Sequence, residues 1–311
     1  MMIDIPKQTG AHLIKGVPLS EIAPFIHWTF FFKAWKLSGK YDGIEAVCDC
    51  TSCTTGWLQR FRSNEQEEAN EAVKLYKDAQ EMLRRFRDEN IISLNVSYGF
   101  YKAHSEEDDI VIHTDSGDIR IPVLRQQEPS RDGYCYALSD YIHPREDYIG
   151  VFANTVAGGE EFAAQFEAQD DLYTSILIKT LCDRLAEATA EWLHFKVRTE
   201  YWGYVPNESI SIEDMFKVKY QGIRPAIGYP SLPDQSVIFE LDPMLRFQET
   251  GITLTENGAM YPTASVCGLY FAHRQSKYFG IGKIDEEQFA DYARRRGRTR
   301  DELRKWLAAN L

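Results

Sequence analysis

Between Ile91 and Leu124 the apolar residues stop recurring every three or four positions and begin to alternate with polar ones, in the runs IISLNVSYGFY, DIVIHT and DIRIPVL. A period of two is the signature of strands that lay one face on a core. Turn-forming residues at Glu106–Asp109 and Asp115–Gly117 separate the runs. The spacing therefore predicts an antiparallel meander, continued by an apolar strand from Tyr148 to Val156.

Long helical patterns flank this block. Residues 64–89 carry Ala69, Val73, Tyr76, Ala79, Leu83 and Phe86 at helical spacing, with Ser63 and Gln66 as a capping box. After Gly158-Gly159 a second helical stretch runs from about Glu160 to Thr199 with a break near Ala168–Asp171. Leu177, Leu181, Leu185, Ala188 and Trp192 form its core-facing stripe, and Glu187 lies well round from Leu185. A shorter amphipathic helix is expected over 20–41, with Ile22, Ile26, Phe30 and Trp35 among its apolar positions. Two further strands are expected around Ser265–Phe271 and Tyr278–Ile284. A helix then opens at the Asp285/Gln288 pair and stops at Gly297, and a last one opens at Thr299 with Glu302. Helices beside a largely antiparallel sheet imply an α+β fold, read here as one compact domain over residues 1–311.

Several functional classes are excluded. With 35 Lys+Arg against 47 Asp+Glu, the net charge is −12. A general nucleic-acid binder needs a positive footprint to displace counterions, so nucleic acid is not an expected partner. The N-terminus has no continuous apolar leader and no run approaches a membrane span, which gives the expectation of a soluble, cytoplasmic protein. No G-x-G-x-x-G, Walker A, H-E-x-x-H or G-x-S-x-G signature is present. Aromatic residues are plentiful, with 17 Phe, 17 Tyr and 6 Trp, and supply material for stacking surfaces.

Of six cysteines, Cys135, Cys182 and Cys267 stand singly and read as small buried hydrophobes. Cys48, Cys50 and Cys53 make a C-x-C-x-x-C run whose thiolates could share zinc or an iron-sulfur cluster. A fourth ligand with paired spacing is missing nearby, so reduced thiols in a surface loop are the preferred reading and no metal is expected.

The most informative stretch is the Gly- and Pro-dense Tyr220–Pro233, an irregular loop. Pro225 and Pro230 fix φ and Gly228 permits a sharp turn, so the loop is stiff enough to present backbone amides and Arg224 to a ligand. A guanidinium so held suits a carboxylate, gripped through two parallel hydrogen bonds, or it ties the loop to a nearby acid.

These segments together resemble the C-terminal reactivation domain of cobalamin-dependent methionine synthase, over nearly the whole chain. The resemblance rests on Trp28 to Trp35 (WTFFFKAW), Asp183 to Ala188 (DRLAEA), Arg224 to Pro230 (RPAIGYP), Ala259 to Val266, Gly268 to His273, Lys277-Tyr278-Phe279 and Asp291 to Arg295. It is their order and spacing that is specific.

The resemblance implies rescue rather than primary catalysis. In the family, cob(I)alamin is occasionally oxidised to inactive cob(II)alamin; the domain then delivers the methyl group of S-adenosylmethionine while a reduced flavoprotein of the flavodoxin kind supplies an electron. Arg224 matches the arginine that holds the methionyl carboxylate, and Ala226 a residue that contacts the cofactor through its backbone. Glu187 matches an acidic binding-site residue, and Tyr278 with Phe279 an aromatic pair beside the ligand. Tyr229 lies in the same motif and is taken as a further site residue. Without the family match, Tyr278 and Phe279 would read as an ordinary strand pair.

Two departures stand out. The family places an aspartate directly before Trp-Thr, where this chain has His27, and a neutral imidazole cannot supply the same negative charge. His27 is kept as a site candidate beside the reading of an ordinary partly buried histidine. Cys48–Ser63 reads as an insertion relative to the family, so its thiols inherit no role. The sulfonium already activates the methyl group, which leaves the protein to orient the reactants and exclude water, and no general acid or base is demanded. No Asp-x-His-x-x-Gly cobalt-ligand motif is present, so the cobalamin is expected on a partner polypeptide. A non-catalytic regulatory or assembly protein on the same fold is the alternative. Arg294-Arg295-Arg296 with Arg298 and Arg300 is the one basic concentration, read as a solvated helix end or as a docking patch for an acidic redox partner.

Overall fold

The computed structural model describes residues 3–48 and 50–311; Asp49, inside the cysteine run, lies outside the described residues. Strand β1 (Gly10–Ile14) is followed by a one-turn helix at Leu19–Ile22 and by α1 (Trp28–Ala34). The single helix expected over 20–41 is thus broken. Pro24 sits at the start of a tight turn over Ala23–Phe25, and Ile26 is extended with φ −67° and ψ 118°, so the chain changes direction before Trp28. Helix α2 (Thr51–Leu58) occupies what was expected to be a loop. Helix α3 (Gln66–Asp88) buries all six residues of its apolar stripe. It opens without the Ser63/Gln66 capping box: Glu65 is the N-cap and its carboxylate accepts from the Arg62 N–H at 3.2 Å.

Strands β2 (Ser93–Glu106), β3 (Asp109–Thr114) and β4 (Gly117–Pro122) form the expected meander. Strand β5 (Asp147–Ala157) runs antiparallel along the other side of β2, from Ser93↔Ala157 to Ala103↔Asp147. Helices α4 (Gly159–Glu167) and α5 (Leu172–Lys196) follow, parted where the break was expected. After α6 (Ile212–Phe216) and α7 (Ile238–Leu245), strand β6 (Ser265–Tyr270) pairs with β5. The chain closes with α8 (Glu286–Arg296) and α9 (Arg300–Leu307), capped by Asp285 and by Thr299 with Glu302 as the sequence predicts.

The sheet order is β4-β3-β2-β5-β6, with β1 sharing with β3 the free side of the long β2. Both faces are covered. Leu94, Val96, Tyr98 and Phe100 alternate onto one face with Phe152, Tyr270 and helices α1, α3 and α5. Ile149, Val151, Ala153, Cys267 and Leu269 point to the other, beneath α7. There the polar side chains of β2 are satisfied by the helical segment: Ser97 Oγ donates to the Leu245 carbonyl at 2.6 Å and Asn95 Nδ2 to that of Thr250 at 3.0 Å.

Three further sequence readings are corrected. Tyr278–Ile284 is not a strand: Gly282 has φ +74°, and the Ile281 and Ile284 N–H groups bond outside any ladder, to the carbonyls of Pro230 and Asn310. Cys135 is half-buried, whereas Cys182 and Cys267 are buried as expected. Two of the five arginines in the basic run are tied inward. Arg296 is buried against Asp234 and Glu240, and Arg295 bonds Asp109 and Asp291. These two arginines anchor α8 to the sheet layer, while Arg294 and Arg300 stay exposed.

Candidate functional site

A cavity of about 800 Å³ opens at one end of α5, and Arg224, Ala226, Tyr229, Tyr278, Phe279, Glu187 and His27 all line it. The whole lining comes from five segments that the fold brings together. Arg184, Glu187, Ala188 and Glu191 present one face of α5, as residues three and four apart on a helix must. The opposite wall is the Tyr220–Pro233 loop, and the rest comes from Tyr278–Gly280, from α6 with Met215 and Phe216, and from the Phe25–Phe30 bend.

The loop is held as a rail along the free edge of β6. Ile223 and Phe271 exchange both backbone bonds at 3.0 Å, the Leu269 N–H donates to the Pro225 carbonyl at 3.1 Å, and the Ile227 N–H donates to that of Cys267 at 3.0 Å. This pattern makes Ala226 and Gly268 a non-hydrogen-bonded pair, in which each residue's own N–H and C=O point away from the partner strand. The Ala226 carbonyl accepts from the Tyr229 N–H at 3.3 Å, and its N–H has no acceptor among the described residues. Gly268 makes the approach possible, since a Cβ there would lie 2.3 Å from the Pro225 oxygen and 2.9 Å from Ala226 Cα. At the head of the loop, Arg198 lies 4.0 Å over the Tyr220 ring and is itself held by Glu208 at 2.8 Å. Gly228, with φ +82°, makes the expected sharp turn.

Arg224 donates from Nη2 to Glu191 Oε2 at 2.8 Å, so the tie to a nearby acid is present. It does not exhaust either group. Arg224 Nε and Glu191 Oε1 are both buried without a partner among the described residues. Burial opposes the Arg224 charge, yet Glu191, with the tyrosines around it and Glu187, holds the guanidinium above its already high range. The Arg224 N–H donates to the Tyr278 hydroxyl at 3.0 Å, which fixes that half-exposed ring at the cavity edge. Tyr229 donates from its hydroxyl to Glu187 Oε1 at 3.2 Å, and the Glu187 charge pushes the phenol up.

His27 is a wall rather than a counter-charge. Its ring stacks on Phe216 at 4.2 Å and meets Phe30 edge-on at 4.6 Å, and burial lowers its pKa, so it is neutral at pH 7. Glu191 and the Met215–Phe216 wall escaped the sequence reading. Glu191 had a signal, since it follows Glu187 by four positions on the same helix face; α6 is too short to show periodicity.

The three remaining candidates lie elsewhere. Cys48, Cys50 and Cys53 are exposed around the start of α2. Cys50 is drawn down to about 7 by hydrogen bonds from its two neighbouring thiols and from the Cys53 N–H, while hydrogen bonds to Cys48 and Cys50 push Cys53 up to about 12.

The sequence profile of the vitamin B12 dependent methionine synthase activation domain matches residues 18–297. The chain belongs to that family. A crystal structure of the MetH reactivation domain bound to AdoHcy superposes with a TM-score of 0.88 at 37% sequence identity, covering 100% of this chain and 93% of the other. For an activation domain, the cavity combines a cation and an acid with aromatic walls. Among the described residues no helix is long and apolar enough to cross a membrane.

Proposed function

We propose that the cavity binds S-adenosylmethionine and that this activation domain delivers its methyl group to cobalamin carried by another module of methionine synthase. One arrangement carries the reading: the paired Arg224 and Glu191 on the cavity wall set a cation beside an acid, complementary to the carboxylate and ammonium of an amino-acid tail. The neighbour with 37% identity was crystallised with AdoHcy, the product form of the same ligand.

In this reading the Arg224 guanidinium receives the methionyl carboxylate and the Ala226 N–H a second polar group. Glu187 supplies negative charge toward the sulfonium side, and Tyr229, Tyr278 and Phe279 enclose the adenosine. His27, stacked on Phe216, extends the aromatic wall where the family has an aspartate. The methyl group leaves sulfur without the bonding pair, which stays on sulfur and gives S-adenosylhomocysteine, so the protein moves no proton. Reduced cobalamin supplies the nucleophile, and a flavodoxin-like donor supplies the electron that keeps it reduced. The chain's residues orient the sulfonium and keep water away, which is where positioning contributes most. All six cysteines are free thiols, as suits a reducing, cytoplasmic setting.

Calorimetric titration with S-adenosylmethionine tests the reading directly, and absence of binding by the native sequence defeats it. Reconstitution with cob(II)alamin-loaded methionine synthase and a reduced flavodoxin should restore methylation only when S-adenosylmethionine is present.

A further inference from the structure

The cysteine cluster plays no part in the cavity, and its geometry points to a second site. The three sulfur atoms of Cys48, Cys50 and Cys53 lie within 4.8 Å of one another, and the first two are 3.2 Å apart. We propose that they bind one thiophilic divalent ion of the zinc type.

Bond lengths favour a single ion. A tetrahedral zinc with Zn–S bonds of about 2.3 Å needs its sulfurs a little under about 4 Å apart, which small side-chain rotations reach from here. An iron-sulfur cubane takes each cysteine on a different iron and spreads its ligands further. The backbone supports the arrangement independently. Cys50 is the N-cap of α2 and Cys53 its third residue, so the helix start sets two sulfurs on one side, and the Cys53 N–H donates to Cys50 Sγ at 3.2 Å. Such a bond favours the thiolate, the form that ligates. The three side chains are exposed, so an ion enters without opening the fold. Among the described residues no fourth His, Cys, Asp or Glu joins the group.

The ion also answers a structural need. Helix α2 has eight residues and buries Trp57 alone, against Tyr41 and Phe61. A helix this short is marginal without tertiary support. Trp57 secures its C-terminal end, and a metal at Cys50 and Cys53 would secure the other, tying it to the chain at Cys48.

The test titrates the full chain, reduced and freed of loosely held metal, with Co²⁺ and then Zn²⁺. About one cobalt per chain should bind with thiolate-to-metal charge-transfer absorption and tetrahedral d–d bands, and zinc should displace it. The Cys48→Ser/Cys50→Ser/Cys53→Ser variant should lose the band and at least about 100-fold in affinity while its far-ultraviolet circular dichroism stays unchanged. Four results overturn the proposal: no charge-transfer band with the native chain, equal binding by the triple variant, isolation of the chain with a Cys50–Cys53 disulfide, or an iron-sulfur chromophore.

Discussion

Arg224 and Glu191 share one hydrogen bond of 2.8 Å and each keeps one buried atom unused, Nε on the guanidinium and Oε1 on the carboxylate. The pair is therefore a fastening between the loop and α5, and it is also the charged part of the cavity wall to which ligand binding is assigned above. Its two roles separate by mutation.

Arg224→Ala strands Glu191 in a site where only 9% of its side chain is exposed, and breaking a buried pair costs about 3–5 kcal/mol. The variant should melt earlier and give no heat with S-adenosylmethionine. Arg224→Met combined with Glu191→Leu should recover most of the melting temperature and none of the binding. Retained binding in the single variant would remove Arg224 from the site.

Gly268→Ala places a methyl group within 2.3 Å of the Pro225 oxygen. The loop must lift from β6 and carry Arg224 with it, at about 1–3 kcal/mol of stability. Ligand affinity should drop tenfold or more by calorimetry. Gly56→Ala in α2, where nothing lies within 4 Å, should instead stabilise by up to about 1 kcal/mol, and this contrast controls for adding a methyl group as such.

Acid should destabilise the fold through buried imidazoles. Burial first, then the Arg198 and Arg224 charges, lowers the His194 pKa well below the ordinary 6.5, and burial also lowers His27 and His273. The unfolded chain then takes up protons near pH 6.5 while the folded chain does not, so stability is full above that pH and is lost as pH falls below it. The melting temperature should decline from pH 7 to pH 5, as followed by calorimetry. His194→Gln should flatten the decline, and an unchanged slope would acquit His194.

Two arginines two positions apart should behave oppositely. Arg296 has 2% of its side chain exposed and pairs with Asp234, which also accepts from the Tyr292 hydroxyl. Arg296→Ala leaves that acid buried without its cation, for about 3–5 kcal/mol in urea denaturation. Arg294, 73% exposed beside Asp291, should tolerate alanine within about 0.5 kcal/mol. Equal effects would contradict the anchoring role of Arg296.

Elements whose residues answer to one neighbour were legible in the sequence. Alternation in β2 and β3 and the caps at Asp285, Gly297 and Thr299 are such local statements. Tyr278–Ile284 looked like a strand because its apolar residues alternate, yet its backbone bonds go to Pro230 and Asn310, a tertiary fact that periodicity does not carry. Helix α2 was invisible because it buries one residue and so has no stripe, and α7 carries Pro243 inside it. The cavity residues were named by motif resemblance, since nothing in their spacing brings Glu187, Arg224 and Tyr278 together. Whether Arg224 would find an acid was open, and only the packing of α5 supplied Glu191.

The cavity takes its walls from Phe25 near one end of the chain and from Gly280 near the other. As the polypeptide is synthesised, the first wall waits for the last, a segment about 250 positions later. Capture of the ligand thus reports that these distant segments have met.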